Sequence, residues 1–221
     1  MSRLQCLACG FSSTSYEAFN AISLEIPKCP PRHARFPVTI HDCLRNYTSE
    51  ERLTAEDAWT CPDCKCPREA SKRLTITRAP DVLVLQLKRF RSERRGFTDK
   101  TNTFVDFPLT RLDLTPYALP PIPASEEAPL RERFGNEVMQ PTPATTPPFE
   151  YDAYGVVQHF GTLTGGHYKA LIRAGSGRWM EFNDRIVTEF REAGPGGAGK
   201  GERKVQTESA YLLFYVRSNV E

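Results

Sequence analysis

Two hydrophobic periods run along this chain, and the period-two pattern of strands dominates. Val82-Leu83-Val84-Leu85-Gln86-Leu87 is an almost unbroken β-favouring run, which predicts a central strand buried on both faces. Before it, Leu74-Thr75-Ile76-Thr77 alternates until Pro80 stops it. Residues 151–159, 168–173 and 210–216 read as further strands of the same sheet, the last one closing it. Tyr16, Phe19, Ile22, Leu24 and Ile26 give residues 15–26 strand character up to Pro27. The helical period surfaces once, where Ile40, Cys43, Leu44 and Tyr47 follow one another at i, i+3, i+4 and i+7 behind Thr39 as N-cap. Three stretches break the pattern: the proline loop 29–37, the segment 118–149 with eight prolines, and Gly194-Pro195-Gly196-Gly197-Ala198-Gly199. The fold class is therefore α+β, a sheet protein with one short helix and no internal repeat.

Composition adds exclusions. The 221 residues suffice for one good core or two small ones, and a net charge of +2 with acids and bases interleaved argues against a nucleic-acid partner. The one dense basic run, residues 88–95, reads as a solvated loop. No apolar stretch approaches the roughly 18 residues of a membrane span, and the N-terminus lacks the layout of a secretory signal.

The seven cysteines sharpen the picture. Cys6-Leu7-Ala8-Cys9 and Cys61-Pro62-Asp63-Cys64 are two C-x-x-C knuckles, with 51 residues between Cys9 and Cys61. Tetrahedral zinc takes four thiolates at about 2.3 Å, and two knuckles on neighbouring hairpins supply them whatever the length between. Cys6, Cys9, Cys61 and Cys64 are thus the candidate ligands of one structural Zn²⁺; the competing reading leaves the thiols metal-free and the segment held by packing. Cys66 is a spare, with substitution for Cys64 as the alternative, Cys43 lies on the apolar stripe of the helix as a small hydrophobe, and Cys29 sits in the proline loop. Thiolate knuckles in a chain of this kind point to a reducing compartment, the cytoplasm, with the nucleus or the endosomal surface as alternatives.

Hydrolytic chemistry is suggested by Thr164-Gly165-Gly166-His167-Tyr168 and Trp179-Met180-Glu181-Phe182-Asn183-Asp184, joined through a Gly175-Ser176-Gly177 turn. The two glycines let the backbone turn tightly before His167, and a hairpin of this length returns Asn183 beside it. An amide oxygen there accepts an imidazole N–H and fixes the tautomer, with Asp184 as the alternative or supporting group. This is two thirds of a Cys/His/Asn or Cys/His/Asp centre. His159 reads as a structural, hydrogen-bonding histidine, and His33 and His41 as surface residues.

Gly165-Gly166-His167-Tyr168, then Trp179 with Phe182-Asn183-Asp184, then Ser209-Ala210-Tyr211-Leu212-Leu213-Phe214-Tyr215 resemble the C-terminal boxes of the ubiquitin-specific proteases, papain-like cysteine peptidases that remove ubiquitin. Leu87-Lys88-Arg89-Phe90, Lys100 with Asn102-Thr103-Phe104-Val105-Asp106-Phe107-Pro108-Leu109, and Ser2-Arg3-Leu4-Gln5 before the first knuckle extend the resemblance over nearly the whole chain. It implies a papain-like palm, a twisted antiparallel sheet, with zinc-ribbon fingers and the helical thumb missing. Residues 1–73 would be the fingers with the short helix, 74–117 and 150–217 the palm, 118–149 a proline-rich and 191–208 a glycine-rich insertion, and 91–101 a loop blocking the channel. It further implies His167 as general base and acid oriented by Asn183, and a channel for the ubiquitin tail along Gly165, Gly166 and Tyr168. Ubiquitin and ubiquitin-conjugated proteins are the implied partners. The nucleophile of such enzymes lies in a box Gly-Asn-x-Cys-Tyr-x-Asn, a context that none of these cysteines has. The expectation is a chain that does not hydrolyse by itself, either part of an active deubiquitinase or a ubiquitin-binding module without catalysis.

Overall fold

Alternation of buried and exposed positions shapes nearly every element of the computed structural model, which describes residues 1–28, 37–92, 98–118, 132, 147–191 and 205–218. In chain order, β1 (Ser2–Cys6), β2 (Ser12–Ser15) and β3 (Ile22–Glu25) lead to the short β4 (Val38–Thr39) and to α1 (Ile40–Thr48). There follow β5 (Glu51–Leu53), β6 (Trp59–Cys61), β7 (Cys66–Arg68), β8 (Ala70–Leu74) and β9 (Val82–Lys88). Next come β10 (Phe90–Ser92), β11 (Thr98–Lys100), β12 (Val105–Asp106) and β13 (Leu112–Asp113). The chain then forms β14 (Glu150–Gly161), β15 (Gly166–Arg173), β16 (Trp179–Asn183), β17 (Ile186–Phe190) and β18 (Ala210–Arg217).

Helix α1 starts where its sequence dictates. The Asp42 N–H donates to Thr39 Oγ1 at 3.1 Å while the Thr39 N–H donates to Asp42 Oδ2 at 2.9 Å, a reciprocal cap. Ile40, Cys43 and Leu44 are fully buried, as the i, i+3, i+4 stripe requires. Burial raises the Cys43 thiol to about 12, consistent with a packing role.

Two compact units form. The first comprises Met1–Phe19, Arg45–Pro80 and Leu114–Phe149. It contains the antiparallel sheet β2-β1-β8-β5 and the hairpin β6-β7. Strand β1 pairs with β8 over its whole length, from Ser2 opposite Leu74 to Cys6 opposite Ala70, so the few residues before the first knuckle make a full strand. The alternation of residues 74–77 ends early: β8 stops at Leu74, and beyond it Ile76 makes only an isolated bridge to Ala118.

The second unit comprises Asn20–Leu44, Asp81–Asp113 and Glu150–Glu221. Its main sheet runs β17-β16-β15-β14-β18-β9-β3, with β13 also paired to β14. All its pairings are antiparallel except β3 with β9. Strand β9 departs from the expected two-sided burial. Leu83, Leu85 and Leu87 are completely buried whereas Val82 is 49% exposed and Val84 and Gln86 are half-buried, the alternation of a strand with one face against the core. Leu213 and Tyr215 of β18 and Tyr151 and Ala153 of β14 are buried beside them. Each such leucine contributes about 1.5–3 kcal/mol from burial.

The basic run also differs from a solvated loop. Arg89 is fully buried and donates to the carbonyls of Ala210 (2.6 Å), Thr101 (3.0 Å) and Thr103 (2.8 Å), and Phe90–Ser92 pairs with β11. A buried guanidinium serving three carbonyls ties the β9 end to β18 and to the segment after β11. Among the described residues no helix is long and apolar enough to cross a membrane. Most of the proline-rich segment, the glycine-rich residues 194–199, Cys29, His33 and residues 93–97 lie outside the described residues.

Candidate active site and metal centre

In the first unit the two knuckles share one backbone device. The Gly10 N–H donates to the Cys6 carbonyl at 3.0 Å and the Lys65 N–H to the Cys61 carbonyl at 2.9 Å, so each C-x-x-C turn is closed by the residue that follows it. Both closing residues are left-handed, Gly10 at φ +77° and Lys65 at φ 57°. Glycine adopts this at no steric cost; lysine carries a penalty of about 1–2 kcal/mol. Phe11, just past the first knuckle, stacks on Trp59 at the start of β6 with ring centroids 6.3 Å apart.

The turns bring Cys6, Cys9, Cys61 and Cys64 together, with all four sulfurs within 4.8 Å of one another. Cys9 Sγ and Cys61 Sγ stand 3.6 Å apart, far from a disulfide's ~2.05 Å and close to the ~3.8 Å edge of a tetrahedron with 2.3 Å metal–sulfur bonds. The electrostatics divide the thiols. The Cys9 backbone N–H leads in lowering Cys6 to about 7. Cys9, although the Phe11 N–H favours its thiolate, is pushed up to about 12 by burial and by the neighbouring Cys64, Cys6 and Cys61. Four thiolates at these distances repel one another, and a bound cation is what lets all four ionise together. The donor set fits a metal ion held by these four residues. Cys66 opens β7 opposite Cys61 and is not one of the four.

In the second unit β14 and β15 form a hairpin closed by Gly161 opposite Gly166, with the Thr162 N–H donating to the Gly165 carbonyl at 2.8 Å. The sequence reading put the tight turn at Gly165 and Gly166; the left-handed residue is Gly161, at φ +109°. Gly165 has open space at its Cβ direction, whereas a Cβ on Gly166 would overlap His159 Nε2 and the Phe160 carbonyl. Gly166 is thus required for close packing and Gly165 is not. From β15 the chain turns at Gly177, φ +80°, into β16, and then at Asp184, φ 52°, into β17.

These registers deliver His167 Nε2 to 2.5 Å from Asn183 Oδ1. An amide oxygen only accepts, so Nε2 carries the proton and donates it, and Nδ1 is left with its lone pair free. Both side chains are solvent-accessible. Asp184 occupies the left-handed turn position that aspartate tolerates and makes no bond to His167. Tyr168 is 53% exposed with its ring 4.6 Å from that of His159. The pair can accept a proton at Nδ1, hold the resulting imidazolium, and return the proton.

His159 differs from the expected hydrogen-bonding residue. It is only 3% exposed, its Nδ1 has no partner, and it is surrounded by the rings of Tyr168, Phe90 (5.2 Å) and Tyr211 (6.2 Å). Lys100, named only as part of a box, donates from Nζ to the His159 carbonyl at 2.7 Å. The hairpin register, which sets His159 opposite Tyr168, is the signal that would have found this cluster.

Comparison with known proteins bears on both sites. The family model "Ubiquitin carboxyl-terminal hydrolase" matches residues 1–215. Ubiquitin carboxyl-terminal hydrolase 4 of Saccharomyces cerevisiae is 37% identical over 224 residues, covering 98% of this chain and 21% of the yeast protein. Human ubiquitin carboxyl-terminal hydrolase 2 is 37% identical over 216 residues, covering 97% of this chain and 29% of its own length. Among solved structures, the SAGA Ubp8/Sgf11/Sus1/Sgf73 DUB module bound to ubiquitin aldehyde aligns with a TM-score of 0.69 at 28% identity, over 100% of this chain and 41% of that one. The chain therefore spans about a fifth to two fifths of the proteins it matches. Similarity of this extent, carried through the knuckles and the His167–Asn183 hairpin alike, assigns the chain to the ubiquitin carboxyl-terminal hydrolases of the ubiquitin-specific protease family.

Proposed function

We propose that this chain supplies the proton-handling and the metal-stabilised parts of a cysteine-type deubiquitinase, which cleaves the peptide or isopeptide bond after the C-terminal glycine of ubiquitin. The carrying observation is the His167 Nε2–H···Asn183 Oδ1 bond within a segment that matches the family throughout. In this reading His167 Nδ1 takes the proton of a cysteine thiol, and the thiolate attacks the carbonyl carbon of the ubiquitin glycine. The imidazolium, held by Asn183, then protonates the leaving amine, and water releases the acyl group by the same route in reverse. Asp184 is assigned a supporting electrostatic role. Gly165, Gly166 and Tyr168 flank the path of the ubiquitin tail, where the exposed Tyr168 ring offers an apolar wall to an extended, glycine-rich peptide.

None of the described cysteines suits the attacking role. Four form the metal cluster, Cys43 is buried, and Cys66 lies at the β7 start. Cys29, outside the described residues, lacks the Gly-Asn-x-Cys-Tyr-x-Asn context, so the thiolate is assigned to a segment outside these 221 residues, in keeping with the greater length of the relatives. Cys6, Cys9, Cys61 and Cys64 would hold one Zn²⁺ that fixes the first unit and takes no part in the chemistry; their free thiols suit the cytoplasm or the nucleus. The fold assigned is a papain-like palm for the main sheet and zinc-ribbon fingers for the first unit.

The test is hydrolysis of a ubiquitin C-terminal fluorogenic amide by this chain and by a version extended upstream in its reading frame. Turnover confined to the extended form supports the reading. Binding of ubiquitin without turnover by both forms would replace it with that of a ubiquitin-binding module.

A further inference from the structure

His159 is a titratable group that the proposed chemistry leaves unused, yet it is packed into the hairpin that carries His167. Its backbone is held twice: its N–H donates to the Ser209 carbonyl at 2.8 Å and its carbonyl accepts from Lys100 Nζ at 2.7 Å. Its ring is clamped between Phe90, Tyr168 and Tyr211. Burial, then the charge of Lys100, lowers its pKa, so the ring is neutral where most proteins work. The register sets His159 opposite Tyr168 and Phe160 opposite His167. Successive residues of a strand face opposite sides, so the two histidines point to opposite faces and His159 acts on His167 only through the backbone between them.

That backbone is Gly166, where even a methyl group would overlap His159 Nε2. The imidazole edge formed by Nε2 and Cε1 therefore lies against the entry of β15, where a smaller group would leave the strand unsupported. Nδ1 has no hydrogen-bond partner among the described residues, and the ring is packed against Phe90, Tyr168 and Tyr211.

We infer that His159 is a positioning residue: the edge of its ring against Gly166 fixes the start of β15, and so sets the distance at which His167 meets Asn183. The inference deepens the proposed function and rests on its assignment of His167. Its readout is a spectrum of the 221-residue chain, so a failed hydrolysis assay leaves it standing, and its own failure leaves the proton-transfer assignment intact.

The test uses ¹⁵N-labelled chain and long-range ¹H–¹⁵N spectra of the four histidine rings, with His167 assigned by its loss in His167→Ala. A bonded Nε2–H locks one tautomer, giving His167 two widely separated ring-nitrogen shifts. His159→Phe keeps a flat ring and should keep that separation. His159→Ala should collapse it towards the averaged shifts of a free imidazole, as Asn183→Ala should. Should the alanine variant not fold, His159→Leu, which keeps volume but not flatness, should produce the same collapse. A separation unchanged in the alanine or leucine variant, whatever happens to its melting temperature, would overturn the inference, as would a collapse in His159→Phe.

Discussion

The cysteine cluster and the histidine–asparagine pair are built with the same backbone device and differ in what holds them. In each, a left-handed residue follows the last functional side chain: Gly10 after Cys9, Lys65 after Cys64, Asp184 after Asn183. The sharp turn redirects the chain and leaves that side chain in place. In the cluster the four sulfurs lie within 4.8 Å of one another, and a metal ion bound there would let all four ionise and would itself supply the stability. At the other site the hairpin registers do the positioning, and the exposed His167–Asn183 bond adds little to folding. Thus the first site is expected to collapse without its ion, and the second to survive loss of its own side chains.

The largest effect should follow Cys61→Ser. Structural zinc in such sites is worth roughly 10 kcal/mol or more, so bound zinc should fall from about one per chain to well below that, with the first unit losing its cooperative melt. Metal analysis with a thermal melt checks this, and a variant that keeps both would dissolve the contrast. The next effect is on rate alone. In the extended protein His167→Ala should lower hydrolysis by about 10²–10⁴-fold with an unchanged melting temperature. Gly166→Ala comes third: its Cβ overlaps His159 and the Phe160 carbonyl, and relief of such overpacking costs about 1–3 kcal/mol, read from denaturant midpoints.

The knuckles then offer a matched pair. Gly10→Ala should destabilise and Lys65→Gly stabilise, each by about 1 kcal/mol, since only glycine is at ease at these φ values. The smallest effect is on pH dependence. The folded-state pKa of His159 lies below the unfolded value of about 6.5, so its contribution is complete above that pH. As pH falls below it the unfolded chain binds the proton first, and stability declines; His159→Phe should remove this part of the slope.

Much of this was legible in the sequence for reasons of range. The knuckles are local, four residues each, and their chemistry is written in the spacing. Helix α1 was legible because cap and stripe both lie within nine residues. The His167–Asn183 pair spans sixteen positions and was still within reach, because one hairpin with a glycine turn joins them. Other features depend on strands distant in sequence. Burial of Arg89 requires Ala210 and Thr101 to arrive beside it, and the one-sided burial of β9 depends on which neighbours cover each face. The cage around His159 likewise joins residues from β10, β15 and β18, which periodicity within a single strand cannot reveal.

The most direct test of the account is turnover of a ubiquitin C-terminal amide by the zinc-loaded, upstream-extended protein, compared with its His167→Ala variant. The account predicts steady release of the fluorophore by the first and a loss of at least about 10²-fold in the second, at equal zinc content and melting temperature. Undiminished turnover in the variant would contradict it, because the proton would then be carried by a group other than the His167–Asn183 pair.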